Sequence, residues 1–97
     1  MWTLQVETAE NEPLTFRLAP GSIKTIGRST GADLILDAAL VSRIHCRLEA
    51  SDETVEVVDL DSTNGICVNG ERVSRAHLIP GDRLTVGRVE FQVGRSD

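Results

Sequence analysis

The sequence predicts an all-β protein, an antiparallel sandwich or barrel made of short strands. Two observations carry this. Apolar residues recur with period two in several short segments, as in strands that bury one face. Turn formers return about every ten residues between those segments, the spacing of sandwich and barrel strands. A chain of 97 residues holds a single core and leaves no length for a separate catalytic unit, so residues 1–97 are expected to form one domain.

The elements follow in order. Trp2, Leu4 and Val6 share one face of a first strand. Asn11-Glu12-Pro13 is a turn signal, and Leu14, Phe16 and Leu18 alternate beyond it. Pro20-Gly21 turns the chain into an apolar strand from Ile23 to Ile26. Residues 38–44 carry a weak helical pattern without the length or cap a helix needs, so they read as loop running into a strand with Ile44, Cys46 and Leu48 on one face. Ser51-Asp52 leads into a strand from Val55 to Leu60. Asn69-Gly70, between Ile66-Cys67-Val68 and Arg72-Val73, predicts a two-residue hairpin, because a type I′ turn needs positive φ at both central positions. Pro80-Gly81-Asp82 should link two further strands, and Val89, Phe91 and Val93 alternate in the last.

Charge and composition exclude several functions. With 10 basic against 15 acidic residues, the chain is not expected to bind nucleic acid, whose backbone is held by clustered Lys and Arg. No apolar run approaches the roughly 20 residues of a membrane span, and the start Met1-Trp2-Thr3 lacks a signal peptide's basic segment and apolar run; a soluble cytoplasmic protein with no membrane contact is expected. Cys46 and Cys67 match no zinc spacing and read as reduced structural cysteines, unless they face each other. Asp59-Leu60-Asp61 fails as a calcium loop, because Asn64 stands where glycine is needed and Gly70 where glutamate is needed. Gly27 to Gly31 matches neither nucleotide-binding fingerprint, so neither a metal nor a cofactor is expected.

Polar residues that folding does not demand gather in three loops. Gly27-Arg28-Ser29-Thr30-Gly31 sets an arginine among glycines and hydroxyls, which suits an anion. Val41-Ser42-Arg43-Ile44-His45 brings a hydroxyl and a second guanidinium to the entry of a strand, and Asp61-Ser62-Thr63-Asn64-Gly65 ends another strand with hydroxyls and a carboxamide. Singly, each reads as a solvated charge or a turn former. The combination reads differently.

Gly27-Arg28, then Ser42-x-x-His45, then Asn64-Gly65 resemble, in order and spacing, the signature of forkhead-associated (FHA) domains. Ser62 to Gly70 and the Pro80-Gly81-Asp82-Arg83-Leu84 stretch extend the resemblance over nearly the whole chain, with no departure at the signature positions. The resemblance implies an eleven-stranded sandwich of two twisted, mainly antiparallel sheets, with ligand loops at one end. It also implies a non-catalytic module that binds a threonine-phosphorylated protein, the product of a Ser/Thr kinase. Carried over by position, Arg28 pairs with the phosphate, Ser42 donates its hydroxyl to it, and Arg43, at a position that varies in the family, adds a second charge. Thr63 lines the phosphothreonine site, and Asn64 bonds the peptide backbone. Gly27, His45 and Gly65 support the site, with the histidine bracing a loop.

Two other classes compete. An enzyme would recruit Ser42, His45 and Asp59 or Asp61, but residues three apart at the start of a strand point to opposite faces, and no nucleophile elbow is present. A phosphate-independent assembly domain of the same fold is the stronger alternative. The intact set of Arg28, Ser42, Thr63 and Asn64 argues against it. As an isolated domain the chain is expected to be a monomer.

Overall fold

The computed structural model describes residues 1–6 and 14–96. The strands are β1 Trp2–Val6, β2 Thr15–Leu18, β3 Ile23–Gly27, β4 Leu34–Ile35, β5 Cys46–Ala50, β6 Val55–Asp59, β7 Ile66–Val68, β8 Glu71–Val73, β9 Arg75–Leu78, β10 Arg83–Val86 and β11 Val89–Arg95. The turn signal at Asn11-Glu12-Pro13 lies outside the described residues. Among the described residues there is no helix, and hence none long and apolar enough to cross a membrane.

Two sheets form, a six-stranded one in the order β2-β1-β11-β10-β7-β8 and a five-stranded one in the order β4-β3-β5-β6-β9. The pairings are antiparallel except that of β3 with the two-residue β4. The expected sandwich of eleven strands in two mainly antiparallel sheets is therefore what the chain adopts.

Period-two alternation seals the sheets together. Trp2, Leu4 and Val6 point inward from β1 while Gln5 is exposed; Cys46, Leu48 and Ala50 do the same from β5, leaving Arg47 and Glu49 on the other face. Phe16 and Phe91 meet in this core with tilted rings 5.6 Å apart, an arrangement that favours the aromatic quadrupoles. Trp2 is fully buried, so its indole N–H needs a partner; it donates to the Ser51 carbonyl at 2.8 Å. The Arg95 guanidinium lies 4.9 Å from the centroid of the Trp2 ring and ties the last strand to the first.

Several turns match their sequence chemistry. Asn69 at φ 52° and Gly70 at φ 83° join β7 to β8 with Val68 opposite Glu71, the geometry of a type I′ hairpin. Pro80-Gly81-Asp82 links β9 of one sheet to β10 of the other, with Gly81 at φ 96° and the Asp82 carboxylate accepting the Ile79 N–H. Several boundaries differ from the sequence reading by a residue or two: Leu14 precedes β2, and β3 runs on to Gly27. Ile44 precedes β5 and is 36% exposed, because the chain before Cys46 is bent back by His45, and β6 ends at Asp59, one residue early.

Cys46 and Cys67 lie in different sheets and are both free. Burial, helped by the charge of neighbouring Asp59, pushes the Cys46 thiol up to about 12. Cys46 is thus an inert core residue at neutral pH.

Strand direction sets where function can sit. β3, β6 and β10 end at the same edge of the sandwich where their antiparallel partners β5, β7 and β11 begin. Residues 28–33, 36–45, 60–65 and the turn at 87–88 therefore converge on one end.

Candidate functional site

Gly27 ends β3 directly beneath the chain at Arg43. A Cβ there would lie 1.9 Å from the Arg43 carbonyl oxygen, so no residue but glycine lets the two loops meet. That contact allows three bonds. The backbone N–H of Arg28 donates to the Ser42 carbonyl at 3.0 Å, that of Ser29 to the Arg43 carbonyl at 3.1 Å, and the Arg28 Nε–H to the Val41 carbonyl at 3.2 Å. The guanidinium of Arg28 is exposed, and its Nη groups have no hydrogen-bond partner among the described residues.

His45 is the buried polar side chain of this end, with no exposed surface. Its Nδ1 accepts the Ser42 backbone N–H at 3.0 Å, which places the ring proton on Nε2, and Nε2–H donates to the Gly65 carbonyl at 2.7 Å. One imidazole thereby ties the loop before β5 to the loop before β7. The expectation that Ser42 and His45 stand on opposite faces of a strand is corrected here. Both precede β5, and the ring curls back onto the Ser42 backbone while the Ser42 hydroxyl turns elsewhere.

That hydroxyl accepts the Thr63 N–H at 3.1 Å, which leaves its own proton outward and available to donate. Asn64 donates through Nδ2 to the Leu40 carbonyl at 3.0 Å, so its Oδ1 faces away as a spare acceptor. The turn carrying both residues is fixed locally. The Ser62 hydroxyl accepts the Gly65 N–H at 2.9 Å and donates to the Asp59 carboxylate, and Gly65 takes φ 74°, which a side chain would strain.

These bonds shape a cleft of about 490 Å³ whose walls include Arg28, Ser42, Thr63 and Asn64, opposite Asp37 to Val41. Arg43 does not line it. With Arg28 and Ser29, Arg43 borders a second hollow of about 280 Å³, so Arg28 is common to both. The chain carries a net charge of −5, yet the exposed guanidiniums of Arg28 and Arg43 form no ion pair among the described residues; the arginine ion pairs found there join Glu56 to Arg75 and Arg83 to Glu90. Arg28 and Arg43 thus set two cations around one hollow of a molecule whose net charge is −5. No cluster of His, Cys, Asp and Glu suited to a metal occurs among the described residues.

Sequence reasoning missed Leu40 and Val41, which act through their backbone carbonyls. No side-chain pattern reports a carbonyl's partner. Only the exposure of Leu40, 45%, and its φ of 68° mark the segment once the fold is known.

The family model for the FHA domain matches residues 24–87. Glycogen accumulation regulator GarA of Mycobacterium tuberculosis is 37% identical over 67 residues, 69% of this chain and 41% of that protein. The chain spans less than half the length of the curated relatives it matches. The crystal structure of the FhaA FHA domain complexed with the intracellular domain of Rv3910 superposes with a TM-score of 0.84 at 32% identity, over 96% of this chain and 99% of that one. A domain solved for the analysis of phosphothreonine-dependent FHA interactions superposes with a TM-score of 0.83 at 30% identity, over 99% and 97% of the two chains.

Proposed function

We infer that this chain, which belongs to the FHA domain family, is a phosphothreonine-dependent interaction module that binds a threonine-phosphorylated protein partner. The observation that carries this reading is the meeting of Arg28, Ser42, Thr63 and Asn64 around one cleft, each held by a bond that leaves an outward donor or acceptor.

A phosphothreonine presents close to two negative charges and three acceptor oxygens. The Nε of Arg28 is engaged by Val41, so the guanidinium meets the phosphate end-on through its two Nη groups. Ser42 adds its outward O–H, and Arg43 supplies a second charge from the adjoining hollow. Thr63 lines the site beside the phosphorylated residue, and Asn64 offers Oδ1 to a backbone N–H of the peptide. Selectivity for threonine over serine requires a niche for one methyl group, a discrimination of roughly 1–3 kcal/mol.

The module is non-catalytic. The imidazole of His45 spends both nitrogens on backbone groups and makes no bond to the Ser42 hydroxyl, so no base activates that oxygen. We take the partner to be the product of a Ser/Thr kinase and the chain to act in the cytoplasm. A phosphate-independent assembly role is the alternative, and it gives no account of Arg28, Ser42, Thr63 and Asn64 gathered around one cleft.

The test is titration calorimetry with four peptides that differ only in carrying threonine, phosphothreonine, phosphoserine or glutamate, each at two salt concentrations. Phosphothreonine should bind at least several-fold tighter than phosphoserine, with threonine and glutamate failing. Arg28→Ala should weaken phosphothreonine binding by about tenfold or more at unchanged melting temperature, since a charge-assisted hydrogen bond contributes about 1.5–3 kcal/mol. Equal binding of all four peptides would move the chain to the phosphate-independent class.

A further inference from the structure

The two side chains that the proposed function relies on most, Arg28 and Asn64, are both aimed by one short piece of backbone. The Val41 carbonyl accepts from Arg28 Nε at 3.2 Å, and the preceding Leu40 carbonyl accepts from Asn64 Nδ2 at 3.0 Å. Presenting those carbonyls this way puts Leu40 at φ 68°, a conformation that a leucine rarely adopts and that neighbouring structure must impose. Val41 is anchored, with its side chain 3% exposed.

What imposes it comes from the other sheet. Val86 and Val89 pair directly, so β10 and β11 are joined by the two-residue turn Gly87-Arg88, with Gly87 at φ 63°. The missing side chain of Gly87 faces the Leu40–Val41 peptide. A Cβ at that position would lie 3.0 Å from the Leu40 carbonyl carbon, its oxygen and Val41 Cγ2.

We propose that Gly87 is a positioning residue for ligand recognition: it lets the β10–β11 turn back the Leu40–Val41 peptide, whose carbonyls hold Arg28 and Asn64 in their binding orientations. This rests on the proposed phosphothreonine function, and it adds to the binding site a turn whose own residues do not line the cleft. A methyl group at position 87 displaces the Leu40–Val41 peptide by a few tenths of an ångström. The Arg28 bond, already 3.2 Å long, is the first to fail.

The experiment compares the wild-type chain, Gly87→Ala and Gly87→Asn. Asparagine tolerates positive φ and still carries a Cβ, so it isolates the contact from the turn conformation and stands in if the alanine variant does not fold. In nitrogen-15 spectra without ligand, the Arg28 Nε–H and Asn64 Nδ2 resonances should shift in both variants. Affinity for a phosphothreonine peptide should fall about fivefold or more, as sub-ångström misplacement of binding groups predicts. Combined with Asn64→Ala, the further loss from Gly87→Ala should shrink, because both act on one carbonyl. Unmoved Arg28 and Asn64 resonances, unchanged affinity in a folded variant, or fully additive losses would each overturn the proposal. A wild-type chain that binds no phosphothreonine peptide would instead overturn the proposed function, and the ligand-free spectra still decide the positioning of Arg28 and Asn64.

Discussion

The two ends of the sandwich solve the same problem of turning the chain in opposite ways. At the end away from the cleft, most side-chain bonds stay within one turn, and the rest join the neighbouring turns at Asn69 and Asp82. The Ser51 hydroxyl accepts the N–H groups of Glu53 and Thr54, the Asp82 carboxylate accepts from the Ile79 N–H and from Asn69 Nδ2, and Asn69 Oδ1 accepts the Arg83 N–H of the adjacent turn. At the cleft end the bonds run between loops far apart in sequence: Arg28 to Val41, Ser42 to Thr63, Asn64 to Leu40 and His45 to Gly65, separated by 13, 21, 24 and 20 residues. A self-closed turn consumes its own polar groups. A cross-braced cluster fixes side chains while leaving part of their hydrogen-bonding capacity outward, and that arrangement suits ligand recognition.

The contrast can be broken by removing its central brace. His45→Ala leaves the half-buried Ser42 N–H and the buried Gly65 carbonyl without partners, which should cost about 3 kcal/mol and lower the melting temperature by roughly 15 °C for a domain of this size. Phosphothreonine affinity should fall with it. Calorimetric melting and peptide titration of the same sample test both, and an unchanged melting temperature would make the two ends alike.

Alkaline pH sharpens the comparison, because the buried thiol of Cys46 opens β5 at the cleft end. Its folded value of about 12 stands above the ordinary 9.0, so the fold holds the proton that the unfolded chain releases. The stability contributed by the neutral thiol is whole below pH 9 and declines as pH rises from 9 toward 12, by up to about 1.4 kcal/mol per unit. Urea midpoints measured from pH 8 to 10.5 should fall for the wild type and fall less for Cys46→Val. Parallel slopes would show that Cys46 does not carry the effect.

The smallest effect belongs to the far end. Gly70 sits at φ 83° with open space where a Cβ would stand, so Gly70→Ala meets only the conformational penalty of the left-handed region, about 1 kcal/mol. Chemical denaturation should show that loss while peptide affinity stays within about twofold, given a site this remote. A larger loss of affinity would mean that the two ends communicate.

How much of this was legible in the sequence divides along the same line. The buried faces of β1, β5 and β11 and the Asn69-Gly70 hairpin were readable, because alternation and turn chemistry are properties of a few neighbouring residues. The short β4 and the charged edge strand β9 were not, since two residues show no period and Arg75-Ala76-His77-Leu78 buries mainly Leu78. The candidate residues were legible as three polar loops, but their division was not: Arg43 sits in a separate hollow from Ser42, Thr63 and Asn64.

The class of fold, the local turns and the residue types gathered at the cleft follow from the amino-acid order, because each is written within a few positions of the chain. That Gly27 lies under Arg43, that His45 spans Ser42 and Gly65, and that Gly87 backs Leu40 emerges with the packed fold. Those contacts join segments about 15 to 47 residues apart, and nothing local to either segment encodes the other. Their geometry is fixed by strand order and register, which are settled only when the two sheets bury their common core.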